Sequence, residues 1–579
     1  MKSGSFGGNG MKKKLKSALA GCMAVLLLAA TPVFAEETAA KENAPSKNLI
    51  VLIGDGMGPA QVTAARNYLK YNKGIDHLTL DSIYVGQATT FADRGEDGDI
   101  IVSGVVTDSA SAGTAFATGN KTYNAGISVS NEEVAKPFAS VIEAAALAGK
   151  ATGLVTTTRI THATPAVYAS HVRSRDNENA IASQYLESGV DVLFGGGSAS
   201  FLSKEDGGKR TDKSIIADFE AKGYSYVKDK SSLLALPDTT GKALGLFSGS
   251  HIPYVNDRKS ETPSLADLTS KALAILSQQK NGFAIMIEGG RIDHASHAND
   301  FPSTVQEVLD FDAAVKTALD FAKKDGNTSV VITADHETGG LSLSRDNIYE
   351  LNLDLWDKQK HSSEAISGSL KAARTIAEVK KIVEDNTWIK DLKDEEATQI
   401  LNGDGSSYGP EGAYNAIISK RLLIGWSGHG HSAVDVGVWA YGPIAEYVKG
   451  QIDNTRVATA SAQVLGLDLT EATARLQEKY VYPKFKTGSN NQPRFPAKAL
   501  AEALGAQVDW DSKSKTVKIT SGSNVLKLQL DSNKATFNDK SSNLAVVVDH
   551  GKLYLPLEAF SQLTGKTLKW DALSERIIK

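Results

Sequence analysis

The apolar run FAIMI leads into EGGRIDHASHAND, residues 288–300, where three acids and two histidines follow a strand-like segment. Charge at the end of a core strand is costly unless it is paired or bound to metal. Two other apolar runs end in the same way: LIVLI runs into Gly54-Asp55-Gly56, and VVITA into Asp335-His336. A single acid at such a place is commonly a helix cap. Three acids brought together need cations between them. Asp293 and His297 are four residues apart, one helical turn, so they can hold one ion from the same face. Of the 11 histidines, His162, His171, His294, His297, His336, His429 and His431 fall in or beside strand-end segments. Carboxylate and imidazole ligands without thiolates suit zinc in an enzyme, whereas structural zinc usually takes cysteines.

A nucleophile stands in VTDSASAGTAFATG, where Ser109 follows Asp108 at the start of a predicted helix of small residues. Helix-terminal N–H groups and the helix dipole favour an anion there, an alkoxide or a bound phosphate. The segment HVRSRD offers Arg173 and Arg175, and a planar guanidinium binds two phosphate oxygens at once. Serine, arginine and several metal ligands are the parts needed for phosphoryl transfer.

These residues need a frame that delivers strand ends to one place. LIVLIG, GLVTTT, VDVLFGGG, FAIMIEGG and SVVITADH are strand-like, and they alternate with helical segments such as SVIEAAALAGK and STVQEVLDFDAAVKTALDFAKK. That rhythm predicts an α/β fold with a large, mainly parallel sheet covered by helices on both faces. In such sheets, sites form outside the carboxyl ends of the strands. Residues 346–420 break the pattern with polar, charged helical sequence and read as an insertion into a catalytic domain at 47–485. A linker at 486–493 leads to a small α+β module, 494–579, with an internal repeat. Pro496, Gly505, Trp510 and Asp511 recur 60 residues later as Pro556, Gly565, Trp570 and Asp571. Each unit reads as a short helix, a glycine cap and a strand through the tryptophan. The module has one histidine, His550, and no catalytic cluster, so it is expected to bind or space and to be dispensable for catalysis.

The 579 residues are 41% hydrophobic and 22% charged, with a formal net charge of -4. That composition is globular, and it offers no electrostatic case for nucleic acid or an anionic membrane. Past ten extra residues, MKKKLK and the apolar SALAGCMAVLLLAATPVFA read as a secretory signal peptide ending at Ala35, followed by a linker at 36–46. The single cysteine, Cys22, lies in L-A-G-C, which resembles a lipobox, but the apolar run continues past it. Cleavage after Ala35 leaves a mature chain without cysteine, exported and free of disulfides.

Six motifs in order, GDGMG, TDSASAGTAFATG, THATPA with HVRSR, EGGRIDHASHAND, TADHETGG and GHGHSAVDVGVWAYGP, resemble those of the alkaline phosphatases. The resemblance implies hydrolysis of varied phosphate monoesters through a phosphoserine, at a site of two Zn2+ and one Mg2+. By it, Asp55 bridges one zinc and the magnesium, and Ser109 is the nucleophile on that zinc beside Asp335 and His336. The other zinc takes Asp293, His297 and His431, which stands four residues before Asp435 as the family's spacing requires; His429 is the alternative. Magnesium is held by Asp55, Thr164 and Glu288, Arg175 clamps the phosphate, and Arg173 is a bystander. His162 and His294 occupy positions that vary in the family and bear on the third metal, which zinc or cobalt would contest. The terminal module resembles the stalk-like domain related to the copper amine oxidase N-terminal region, implying cell-wall or surface contact and no copper chemistry. A homodimer is compatible with this reading, and no nucleic-acid-binding motif is present. The alternatives are a phosphodiesterase of the same superfamily or a non-catalytic surface-binding protein.

Overall fold

Ten strands form the central sheet of the computed structural model, which describes residues 45–97, 100–488, 491–530, 534–544 and 546–579. The expected signal peptide, with Cys22 and Ala35, lies outside the described residues. In chain order the strands are β1 (Asn48–Gly54), β2 (Tyr84–Thr89), β3 (Ala151–Arg159), β4 (Val192–Gly196), β5 (Tyr224–Val227), β6 (Lys242–Leu246), β7 (Phe283–Gly289), β8 (Thr328–Ala334), β9 (Val436–Tyr441) and β10 (Gly450–Asp453). They lie side by side as β10-β2-β9-β8-β1-β7-β3-β4-β6-β5. Neighbours are parallel except at β9, which runs antiparallel to both β8 and β2. The expected class, a mainly parallel α/β sheet flanked by helices, is the observed one.

Strands β1, β7 and β8 are buried along their whole length, as the unbroken apolar runs require of central strands covered on both sides. Their register sets the site. Gly54 pairs with Gly289 on one side and Ala334 on the other, and Glu288 pairs with Thr156 of β3. Parallel strands in this register put Asp55, Glu288 and Asp335 at one edge. Gly56 turns the chain there at φ +68°, and a Cβ on it would lie 2.7 Å from the Asp293 Cα. Only glycine fits so close to the neighbouring helix.

Four helices are the parts that matter most to the site: α1 (Ser109–Thr118), α2 (Glu178–Ser188), α3 (Arg291–His297) and α4 (Phe301–Asp325). Within 346–420 and just beyond it stand the helices Ser363–Ala372, Ile376–Asn386, Asp394–Asn402 and Pro410–Leu422. They enclose a cluster of their own around Trp356, Val379 and Tyr414, and it meets the main body at Phe301, whose ring is 4.6 Å from that of Trp356. Asp300 serves this junction. Its buried carboxylate caps α4 by accepting from the Ser303 amide, and it also accepts from Gln359 at 3.0 Å and the Ser363 amide at 2.7 Å.

Beyond 485 both repeat units take the predicted form: the helices Ala497–Ala503 and Leu557–Thr564 are followed by Gly505 and Gly565 at positive φ, then by the strands Gln507–Asp511 and Lys569–Asp571. The stretch expected as a linker at 486–493 opens with a strand, Lys486–Thr487, paired to Pro493–Pro496. Upstream, Tyr480–Pro483 pairs with Val134–Ala135 and with the terminal strand Arg576–Ile578. The described residues form one compact unit. Among the described residues, no helix is long and apolar enough to cross a membrane.

Candidate active site

Helix α1 starts at the site because Asp108 caps it: its side chain accepts from the Ser111 amide in a reciprocal capping box. Ser109 is the first helical residue and is 1% exposed. Its Oγ lies 3.3 Å from His336 Nε2. His336 Nε2 is also 3.1 Å from Asp335 Oδ2 and 3.7 Å from Asp55 Oδ1. Asp55, Asp335 and His336 thus form one group able to hold a metal ion.

A second group joins Asp293, His297 and His431. The first two lie on α3, with His297 Nε2 3.3 Å from Asp293 Oδ1. His431 arrives from far along the chain through a two-residue ladder in which Thr338 pairs with His431. It stands 3.0 Å from His297 Nε2 and 3.6 Å from Asp293 Oδ1. His429 sits elsewhere, with its ring stacked on Tyr408 and its Nδ1 donating to the His297 carbonyl.

The outer nitrogens set the tautomers. His297 Nδ1 donates to the His429 carbonyl, His431 Nδ1 to the Thr107 carbonyl, and His336 Nδ1 to the Thr338 hydroxyl, which in turn donates to Asp293. Each ring therefore turns an Nε2 lone pair inward, the arrangement that fixes metal-binding histidines. Lone pairs from two imidazoles and a carboxylate oxygen face one another within 3.6 Å, with no hydrogen of their own between them. In the bare protein a proton fills that role: the Asp293 carboxylate outweighs burial and lifts His297 to about 9, while burial beside His336 drops His431 to about 4.

A third group contains Asp55, Glu288 and His162. Both Asp55 oxygens, one oxygen each of Glu288 and Asp335, and the Thr164 hydroxyl are buried without a hydrogen-bond partner. Burial, then repulsion from Asp335, Asp293 and Glu288, raises Asp55 well above the usual carboxylate range. Burial pushes Glu288 up to about 7, although Thr156 and Thr158 donate to its other oxygen. Orphaned carboxylates at this density fit divalent cations.

Arg175 enters from 172–177. Its Nη1 donates to Asp108 Oδ2 at 2.9 Å, its Nη2 to His162 Nε2 at 3.1 Å, and its backbone amide to the Ala125 carbonyl. Burial would raise Asp108, but Arg175 and the Ser111 hydrogen bonds outweigh it and hold the carboxylate low. Arg173 faces away and donates to the carbonyls of Glu132 and Tyr482. His171 is likewise structural, held between Glu143 and the Ser128 carbonyl.

Sequence reasoning missed His251. Its ring lies 4.3 Å from that of His294 and 5.7 Å from that of His162, forming a three-histidine wall beside the third group. It follows β6, and KALGL is not among the runs that read as strands, so the strand-end rule did not reach it. Burial drives all three well below the normal histidine range, reinforced by neighbouring arginines.

The sequence model of the alkaline phosphatase family matches residues 46–467, and that of the copper amine oxidase N-terminal domain matches 477–579. The chain is 40% identical over 429 residues to alkaline phosphatase 3 of Bacillus subtilis, covering 71% of this chain and 87% of that protein. Among solved structures, the Thermus thermophilus alkaline phosphatase superposes with a TM-score of 0.67 at 30% identity, covering 78% of this chain and 99% of the other. A histidine-to-aspartate mutant of the alkaline phosphatase from the Antarctic bacterium TAB5, solved with magnesium at a site called M3, superposes with a TM-score of 0.54 at 30% identity, covering 73% and 99%.

Proposed function

The chain belongs to the alkaline phosphatase family, and from that premise we propose that it is an exported phosphate monoester hydrolase acting through a phosphoserine at two zinc ions and one magnesium ion. The observation that carries the reading is the set of inward lone pairs and unpartnered carboxylates beside the Ser109 hydroxyl. Asp55, Asp335 and His336 would hold one zinc, Asp293, His297 and His431 the other, and Asp55, Thr164 and Glu288 the magnesium. When bound, the ions neutralise the carboxylates, lower the pKa of the Ser109 hydroxyl and stabilise charge on the reacting oxygens.

Arg175 grips two non-bridging oxygens of the phosphoryl group, held in line by Asp108, and the N-terminal amides of α1 add to that hold. Ser109 Oγ attacks phosphorus opposite the ester oxygen, which departs with a proton as the alcohol. Water then attacks the phosphoserine, which frees inorganic phosphate and restores the Ser109 hydroxyl. Both steps are governed by positioning and charge, as phosphoryl transfer demands. Because recognition falls on the phosphoryl group, varied leaving groups are accepted.

Magnesium at the third site suits its carboxylate and hydroxyl oxygens. His162 offers that site an imidazole, which favours zinc, so metal content after loading decides between them. Export rests on the leader ending at Ala35; the N-terminal residue of secreted protein tests it. The functional test is hydrolysis of p-nitrophenyl phosphate and its bis-ester after chelation, then with zinc and magnesium restored. Metal-dependent preference for the monoester supports the reading. Preference for the diester moves the protein to the phosphodiesterases, and no turnover of either makes it a binding protein.

A further inference from the structure

The terminal module, expected to be a dispensable appendage, grips the segment that carries Arg175. Helix α2 follows the arginine loop directly, with Asn177 at its N-cap. An asparagine there ordinarily turns back on the first free amides of its own helix. Asn177 makes no such bond; its Nδ2 donates instead to the Leu573 carbonyl at 2.7 Å. Leu573 lies on the turn between the strands Lys569–Asp571 and Arg576–Ile578, and its side chain packs against the main core.

The other end of α2 is held by the same hairpin. Arg576, its side chain 5% exposed, reaches both oxygens of Glu187 at 2.8 and 2.7 Å. Its Nε donates to Asp571 at 2.9 Å, and its guanidinium lies 4.5 Å from the centre of the Tyr480 ring. The arginine loop meets the paired strand as well, since Arg173 donates to the Tyr482 carbonyl. Loop 172–177 is therefore braced from two sides: the Ile127–Val172 bridge and the Ala125 carbonyl on one, the terminal hairpin on the other.

We propose that Asn177, Arg576 and the hairpin around Leu573 are positioning residues for Arg175, so that the terminal module is a working part of the phosphate-binding site. The inference rests on the reading of Arg175 as the phosphate clamp, and its test separates the two. In the full-length, metal-loaded protein, Asn177→Ala and Arg576→Ala are made alone and combined with Arg175→Ala. The readout is competitive inhibition by inorganic phosphate together with kcat and zinc content. Alone, each raises the phosphate Ki roughly three- to tenfold with zinc content unchanged. In the Arg175→Ala background neither has a further effect, because the group they position is gone. Arg576→Lys, which keeps the charge but loses the fork, falls between. An equal loss in both backgrounds, or no change in Ki from either single substitution, overturns the inference while the clamp stands. If Arg175→Ala itself leaves the phosphate Ki unchanged, the clamp reading fails and the inference with it.

Discussion

Glu288→Gln is the substitution that most directly tests why the carboxylates gather. Glu288 is fully buried, with one oxygen unpartnered, and burial lifts its pKa from 4.5 to about 7. A carboxyl whose folded pKa lies above its unfolded value favours the fold below pH 4.5 and weighs against it as pH rises through 7. At 1.36 kcal/mol per pH unit, the metal-free protein gives up about 3 kcal/mol by pH 8 on this account. Spread over the unfolding entropy of a chain this long, that is about 2–3 °C in Tm. Glutamine removes the titration and keeps an acceptor for Thr156 and Thr158. Differential scanning calorimetry of chelated protein is then expected to show the variant melting about 2–3 °C above the parent at pH 8 and level with it at pH 4. Restoring magnesium at pH 8 is expected to reverse the order, since the ion proposed for this site would need the carboxylate. A metal-free variant that melts below its parent at pH 8 would refute the idea that an ion relieves strain at Glu288.

Ser109→Ala is expected to lower turnover of p-nitrophenyl phosphate by about 10⁴-fold or more while zinc measured by atomic absorption is retained. His431→Ala drops zinc by one ion per chain; His429→Ala, whose ring stacks on Tyr408 away from the Nε2 lone pairs, leaves the stoichiometry unchanged. Zinc bound as proposed would have to displace the proton that His297 holds up to about 9, so its apparent affinity, measured against a competing chelator, is expected to fall about tenfold per pH unit from 9 to 7.

The strands that carry the site were legible because a central parallel strand is buried on both faces and so reads as an unbroken apolar run. The same logic marked Asp55, Glu288 and Asp335, since an acid straight after such a run has to be served by something at the sheet edge. Asp293 and His297 were legible from helical spacing alone. The capped start of α1 was visible in Asp108 and Ser109, but Asp108's second task, holding Arg175 from 67 residues away, was not.

Local pattern thus determined the class of fold, the edge where chemistry gathers and most of the residues that gather there, because burial and periodicity act over a few residues. Tertiary structure decided what pairing across long separations brings together. The family resemblance singles out His431 over His429, but what carries it to Asp293 and His297 is its pairing with Thr338. His251 joins His162 and His294 because the segment after β6 crosses to the end of β3, where the Ile252 amide donates to the Thr157 carbonyl. The terminal module reaches the Arg175 segment because Arg576–Ile578 pairs with Tyr480–Pro483. Each of these rests on a register between distant segments, and a hydrogen-bonded register leaves no mark in the spacing of either partner alone.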